Sequence, residues 1–138
     1  MACTNNRLVV KIQSGEARSF GFTIKTKTLT KQDDGTYYIP MDLSDYIVDL
    51  QIKLYPYESV EPVIHKIITS EEDSLIGQIL DQSGEDRGRF LVQINSNDMQ
   101  ILVPEKEYVL AIYLVNGDTR IMISGEGDNI GVFKVCNS

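Results

Sequence analysis

Leu102-Val103-Pro104-Glu105-Lys106-Glu107-Tyr108 is the stretch whose reading decides the fold. Pro104 fixes its own φ and stiffens a corner. Leu102 is placed to plug the base of a core. Tyr108 opens an alternating run through Val115. In β-sandwiches a tyrosine at the start of a late strand bonds back to backbone a few residues upstream. A tyrosine in an ordinary hairpin, with no corner bond, is the alternative. Asn116-Gly117 follows, the favoured central pair of a two-residue type I′ turn. That turn sets Tyr113 against Arg120, Ile112 against Ile121, Ala111 against Met122 and Leu110 against Ile123. Successive side chains alternate between faces. Tyr108, Leu110, Ile112, Leu114, Ile121 and Ile123 therefore share the core face, and Val109, Ala111, Tyr113, Arg120 and Met122 share the other. A one-residue slip would bury the wrong set.

Alternation at period two recurs outward from this hairpin, and no long stretch carries a helical period. Strands are expected at 7–13, with Leu8, Val10 and Ile12 inward, and at 19–27, with Phe20, Phe22 and Ile24 inward. Another covers 47–54, where Val48, Leu50, Ile52 and Leu54 alternate with Asp49, Gln51 and Lys53. The strand at 63–69 has no assignable inward face, and 75–80 is a weak strand. Phe90, Val92 and Ile94 point inward from 89–94, and a last strand covers 130–135. Residues 31–40 read as a polar loop around Asp33-Asp34-Gly35, with Tyr37 and Tyr38 as a small flap at its exit. Asn95-Ser96-Asn97-Asp98 is rich in cap residues and predicts one helical turn. Many short strands between turn clusters indicate an all-β sandwich or barrel. The chain reads as a single domain, 1–138, with short loose ends at about 1–6 and 136–138.

The 138 residues carry a net charge of −7, with thirteen Lys and Arg scattered rather than striped. Binding to nucleic acid or to an anionic membrane is disfavoured. The start Met1-Ala2-Cys3 lacks a basic, apolar leader, so no secretion signal is expected. Cys3 and Cys136 are then expected to be reduced thiols. His65 is the single histidine and has no accompanying Gly-x-Ser-x-Gly elbow, which argues against nucleophile-triad chemistry. A structural or surface histidine is the plainer reading. The loop acids cannot be paired in space from sequence. Calcium is a minor possibility for Asp81 to Asp86 and for Gly125 to Asn129, although neither fits the EF-hand pattern. Polar turns are the plainer reading of both. No cofactor is expected.

The outer face of the hairpin, with Val109, Ala111, Tyr113, Arg120 and Met122, is a candidate protein contact, because Tyr, Met and Arg are enriched at interfaces. Tyr37, Tyr38, Tyr55 and Tyr57 are further candidates. Cover by another part of the same domain is the competing explanation for that apolar face.

The order of features resembles the Ig-like virion domains of tailed bacteriophages, found in baseplate upper proteins and in head-fibre or capsid-decoration proteins. Gly15-Glu16 and Phe20-Gly21-Phe22 match its Gly-acid turn and Phe-rich strand. Asp34-Gly35 matches its acid-Gly loop. Asp42-Leu43-Ser44-Asp45-Tyr46 matches an Asp-Leu-Ser/Thr-x-Tyr turn ahead of an alternating strand. Residues 88–94 and 102–124, with Gly125 after them, match a Gly-led strand and the closing hairpin. Two departures stand out. Pro104-Glu105-Lys106 replaces a Pro-Gly turn, so the corner is expected to be looser, and the loop at 28–40 is longer.

The resemblance implies an Ig-like antiparallel β-sandwich with a tyrosine-corner-like closing hairpin (Leu102, Pro104, Tyr108). It implies a non-enzymatic structural component of the virion, an adaptor or decoration subunit bound to other virion proteins in multiple copies. It would be made in the host cytoplasm. A cellular Ig- or fibronectin-like module binding protein or glycan is one alternative, and a small carboxylate-dependent enzyme is another.

Overall fold

The run from Tyr108 to Val115 folds as the middle of β9 (Glu107–Asn116), the strand around which the larger sheet is built. The structure is a computed structural model and describes residues 9–13, 17–55, 60–124 and 131–136. Leu8, Cys3, Tyr57, the Gly15-Glu16 turn and the Gly125 loop lie outside them. One edge of β9 pairs antiparallel with β5 (Ile47–Lys53), from Ile47 against Val115 to Lys53 against Val109. The other edge is shared. β10 (Thr119–Ser124) takes its C-terminal half and β11 (Gly131–Cys136) its N-terminal half. β6 (Ile64–Ile68) continues the sheet beyond β5, and β1 (Val9–Gln13) lies beside β11.

The second sheet is β2 (Arg18–Thr23), β8 (Arg89–Ile94) and β7 (Gly77–Ile79), in that order. A small hairpin of β3 (Lys25–Lys27) and β4 (Tyr38–Pro40) stands apart, and a short helix, α1 (Ser96–Ile101), precedes the corner. Val48, Leu50 and Ile52 from β5, Phe90, Val92 and Ile94 from β8, and Leu110, Ile112 and Leu114 from β9 meet in one sandwich-like core. Phe133 of β11 meets Phe20 of β2 edge-on at 6.1 Å, and Phe22 stacks on Phe90 at 5.2 Å. Such aromatic pairs add about 0.5–1.5 kcal/mol beyond their buried area. Among the described residues no helix is long and apolar enough to cross a membrane.

The structure differs from the sequence expectations in several places. β1 and β11 run parallel, so the arrangement is not purely antiparallel. The expected strand at 19–27 is two strands. Ile24 between them is buried, donates to the Gly88 carbonyl and accepts from Met41 N–H. It thereby passes the chain from β2 to the small hairpin. Leu54 falls beyond β5 and is exposed. Asn116 joins the ladder opposite Thr119, so the turn is centred on Gly117-Asp118. Gly117 has φ 57 and Asp118 is not left-handed, the sign pattern of a type II′ turn with Gly first. Every cross-strand partner therefore shifts by two. Arg120 faces Val115 and Met122 faces Tyr113. A shift of two preserves the faces. The ladder slips again between Met122 and Ser124, leaving Ile123 at a bulge. Ile121 was expected inside but is 36% exposed, because β10 has only β9 beside it among the described residues.

The corner is bonded. Val103 N–H donates to the Tyr108 hydroxyl oxygen at 2.8 Å, and Leu102 and the Tyr108 ring are buried. Lys106 N–H returns to the Val103 carbonyl at 3.3 Å, closing a turn over exposed Pro104 and Glu105. Glu105 has φ 64, the conformation a type II turn asks of glycine at this place. Its N–H donates to the Val135 carbonyl, and Val135 N–H donates to the Lys106 carbonyl. The corner is thus stitched to β11 rather than loose. The non-glycine conformation costs about 1–2 kcal/mol. Glycine has its own entropy cost of about 0.5–1 kcal/mol. Glu105→Gly should therefore raise stability by about 0.5–1 kcal/mol, read as a higher urea midpoint with an unchanged slope.

Candidate interaction surface

Alternation along β5 sends Asp49, Gln51 and Lys53 to the face opposite the core. The register assembles that face in rows. Ile47, Val115 and Arg120 lie in one, and Ile67, Asp49, Tyr113 and Met122 in the next. His65, Gln51 and Ala111 form a third. Its centre is not open. Ala111 and Tyr113 are buried, as are Asp49 and Lys53. This corrects the expectation that Ala111 and Tyr113 present a contact surface. Both sit on the central strand of the sheet, and the Arg120 guanidinium carbon lies over the Tyr113 ring, 3.9 Å from its centroid. Val109 is half-buried. The exposed positions form a rim of Ile47, Ile67, Met122, His65 and Arg120. Tyr37, Tyr38 and Tyr55 are exposed elsewhere.

Asp49 organises this face, although in the sequence it is one more polar residue on an alternating strand. Its Oδ2 accepts from Arg120 Nη1 at 2.8 Å. Its Oδ1 accepts from His65 Nε2 at 2.6 Å and from Gln51 Nε2 at 3.2 Å. An ionised carboxylate only accepts, so Nε2 of His65 carries the proton. The available signal was a carboxylate in mid-strand, on the face that also receives Arg120. Burial pushes the Asp49 carboxyl up, but the hydrogen bonds from Arg120, Gln51 and His65 outweigh it and hold the pKa below the ordinary aspartate value.

The sign of the pH effect follows from that depression. The stabilisation is present above the unfolded pKa of about 3.9 and is lost as pH falls through the lower folded value. Asp49→Asn is expected to cost about 2 kcal/mol at pH 7, since charge-assisted bonds are worth roughly 1.5–3 kcal/mol each. Urea midpoints of the two proteins should converge as the pH is taken below the folded pKa. A gap that stays constant would show that the Asp49 charge contributes nothing.

Chemically the cluster is a satisfied hub. Among the described residues no group of three or more His, Cys, Asp or Glu side chains is placed to hold a metal ion. In the loop considered for calcium, Asp81 Oδ1 accepts from both the N–H and the hydroxyl of Ser83. Cys136 is a half-buried free thiol.

A second feature is an open groove of about 880 Å³ between the turn after β4 and the loop after β7. Asp42, Asp45, Asp81 and Arg87 line it together with Tyr46, Ile47 and Leu80. Gln82 ties its two walls together. Its Oε1 accepts from Leu43 N–H at 3.0 Å and from Gly88 N–H at 2.8 Å, while its Nε2 donates to the Leu80 carbonyl. No protein-family model matches this sequence, and a search of curated proteins finds no match.

Proposed function

We propose that this chain is a non-enzymatic structural subunit of a tailed-phage particle, built on an Ig-like sandwich and acting through protein–protein contacts. The observation that supports the Ig-like part of this reading is the strand order, while the virion role rests on the sequence resemblance. β11-β9-β5-β6 against β2-β8-β7 follows the pairing of variable-type Ig domains, G-F-C-C′ against B-E-D. The Tyr108 bond to the backbone at Val103 sits where that fold places its tyrosine corner.

Assembly contacts would use the exposed rim, Ile47, Ile67, Met122 and Arg120, and the exposed tyrosines Tyr37, Tyr38 and Tyr55. Ile67→Gln combined with Met122→Gln adds no charge beside Asp49 and is expected to change the melting temperature little while abolishing incorporation into particles. Mass spectrometry of purified particles is the direct test. Finding the protein at many copies per particle supports the reading, and its absence from particles overturns it.

A further inference from the structure

We propose that two copies of this chain form a symmetric dimer in which the β3–β4 arm of each lies in the Asp42–Asp81 groove of the other. The arm's two strands pair with each other and with no other described strand. Its connection is internally bonded rather than loose. Thr28 N–H donates to the Tyr37 carbonyl, Gln32 N–H to the Thr36 carbonyl, and Asp34 accepts from Thr36. Yet Leu29 on this ordered arm is 99% exposed, and Tyr37 and Tyr38 are about half exposed. Three exposed apolar or aromatic side chains on one short arm make it a candidate contact element.

Charge indicates the occupant. Lys25 pairs with Pro40 and Lys27 with Tyr38, so both lysines and Tyr38 lie on one face of the arm, all exposed. Residues 25–40 carry three lysines and two aspartates, a positive island in a chain of net charge −7. Lys25 also acts electrostatically on Asp34, so the arm's charge is partly offset from within. The groove is the complement, with three aspartates and Arg87 around Tyr46 and Leu80. Hydrogen bonds from Ser44 and Ser83 hold Asp42 and Asp81 below the ordinary aspartate value, so this rim stays charged even in mild acid.

β4 ends at Pro40, two residues before Asp42, so arm and groove are neighbours on one copy. A two-fold axis between them makes both complementary contacts at once, the self-complementary arrangement of an isologous interface. The pairing goes beyond the role proposed above and does not depend on it.

The test is sedimentation of the full chain over a range of concentrations at low and high salt. A monomer–dimer equilibrium weakened by salt is expected. Lys25→Glu/Lys27→Glu should weaken it at least ~tenfold, and so should Asp45→Lys, each with an unchanged circular dichroism spectrum. Mixing the two variants restores both contacts and should restore the dimer. A wild type that is monomeric throughout, or variants that dimerise as wild type does, would overturn the pairing. A monomer that is nonetheless abundant in particles refutes this dimer alone. A dimer absent from particles refutes the virion role alone.

Discussion

Gly77→Ala is expected to cost about 3 kcal/mol or more and to detach β7 from β8. Gly77 has φ +134, a conformation essentially reserved for glycine. A Cβ there would lie 2.0 Å from the Leu91 carbonyl oxygen and 2.9 Å from its carbon. Those atoms are main chain in the middle strand of the smaller sheet, so they cannot turn aside as a side chain would. Relief requires breaking the pairing of Gly77 with Val92. Gly35→Ala is the matched control, with φ +86 and nothing within 4 Å of the added Cβ. It should show only the backbone term, about 1–2 kcal/mol. Denaturant midpoints of the two variants, with hydrogen exchange at β7 and β8, separate the contact from the conformation. Equal losses would mean that the clash with Leu91 is absent.

Lys66→Met should cost about 3–5 kcal/mol, although methionine is nearly the same length and suits an apolar site. Lys66 points inward from β6 between Ile64 and Ile68 and is buried. Its ammonium donates to Asp98 Oδ2 at 2.7 Å and to the Leu75 carbonyl at 2.8 Å. Asp98 is also buried and is half of a capping box. It accepts from Asn95 N–H, and its own N–H donates to the Asn95 side chain. Removing the lysine leaves a buried carboxylate at the start of α1 with its charge uncompensated. Lys66→Met together with Asp98→Asn should recover most of the loss, because no charge then remains inside and the cap keeps its oxygen. Thermal or urea denaturation of the two singles and the double completes the cycle. A double variant as unstable as Lys66→Met would place the cost in packing rather than in the stranded charge.

The two sites differ in how far they could be read in advance. The 75–80 segment was legible as a weak strand, but nothing local marks Gly77 as the point where another backbone approaches within 2 Å of a would-be Cβ. Residues 63–69 carry Ile or Val on both alternating faces, so neither could be called inward. Lys66 goes inside because the Leu75 carbonyl and Asp98 wait there, nine and 32 residues along the chain. The hairpin was read on the correct faces with its partners shifted by two. Asn116 extended the ladder instead of opening the turn, a choice between I′ and II′ geometry that Asn-Gly-Asp leaves open. Asp49 was legible as a polar strand residue but not as the acceptor for Arg120, 71 residues away.

Period-two alternation and turn residues by themselves determined that this is an all-β chain, where most strands run and which side chains share a face. Those are local properties, set by backbone pleat and steric preference within a few residues. Tertiary structure alone decided that β1 runs parallel to β11, that the chain changes sheet at Ile24 and that Asp49 and Lys66 are buried and paired. It also decided that Ala111 and Tyr113, expected to be available for contact, are closed over. Each of these depends on which distant strands become neighbours. Alternation sorts side chains onto two faces but does not say what will lie against either one.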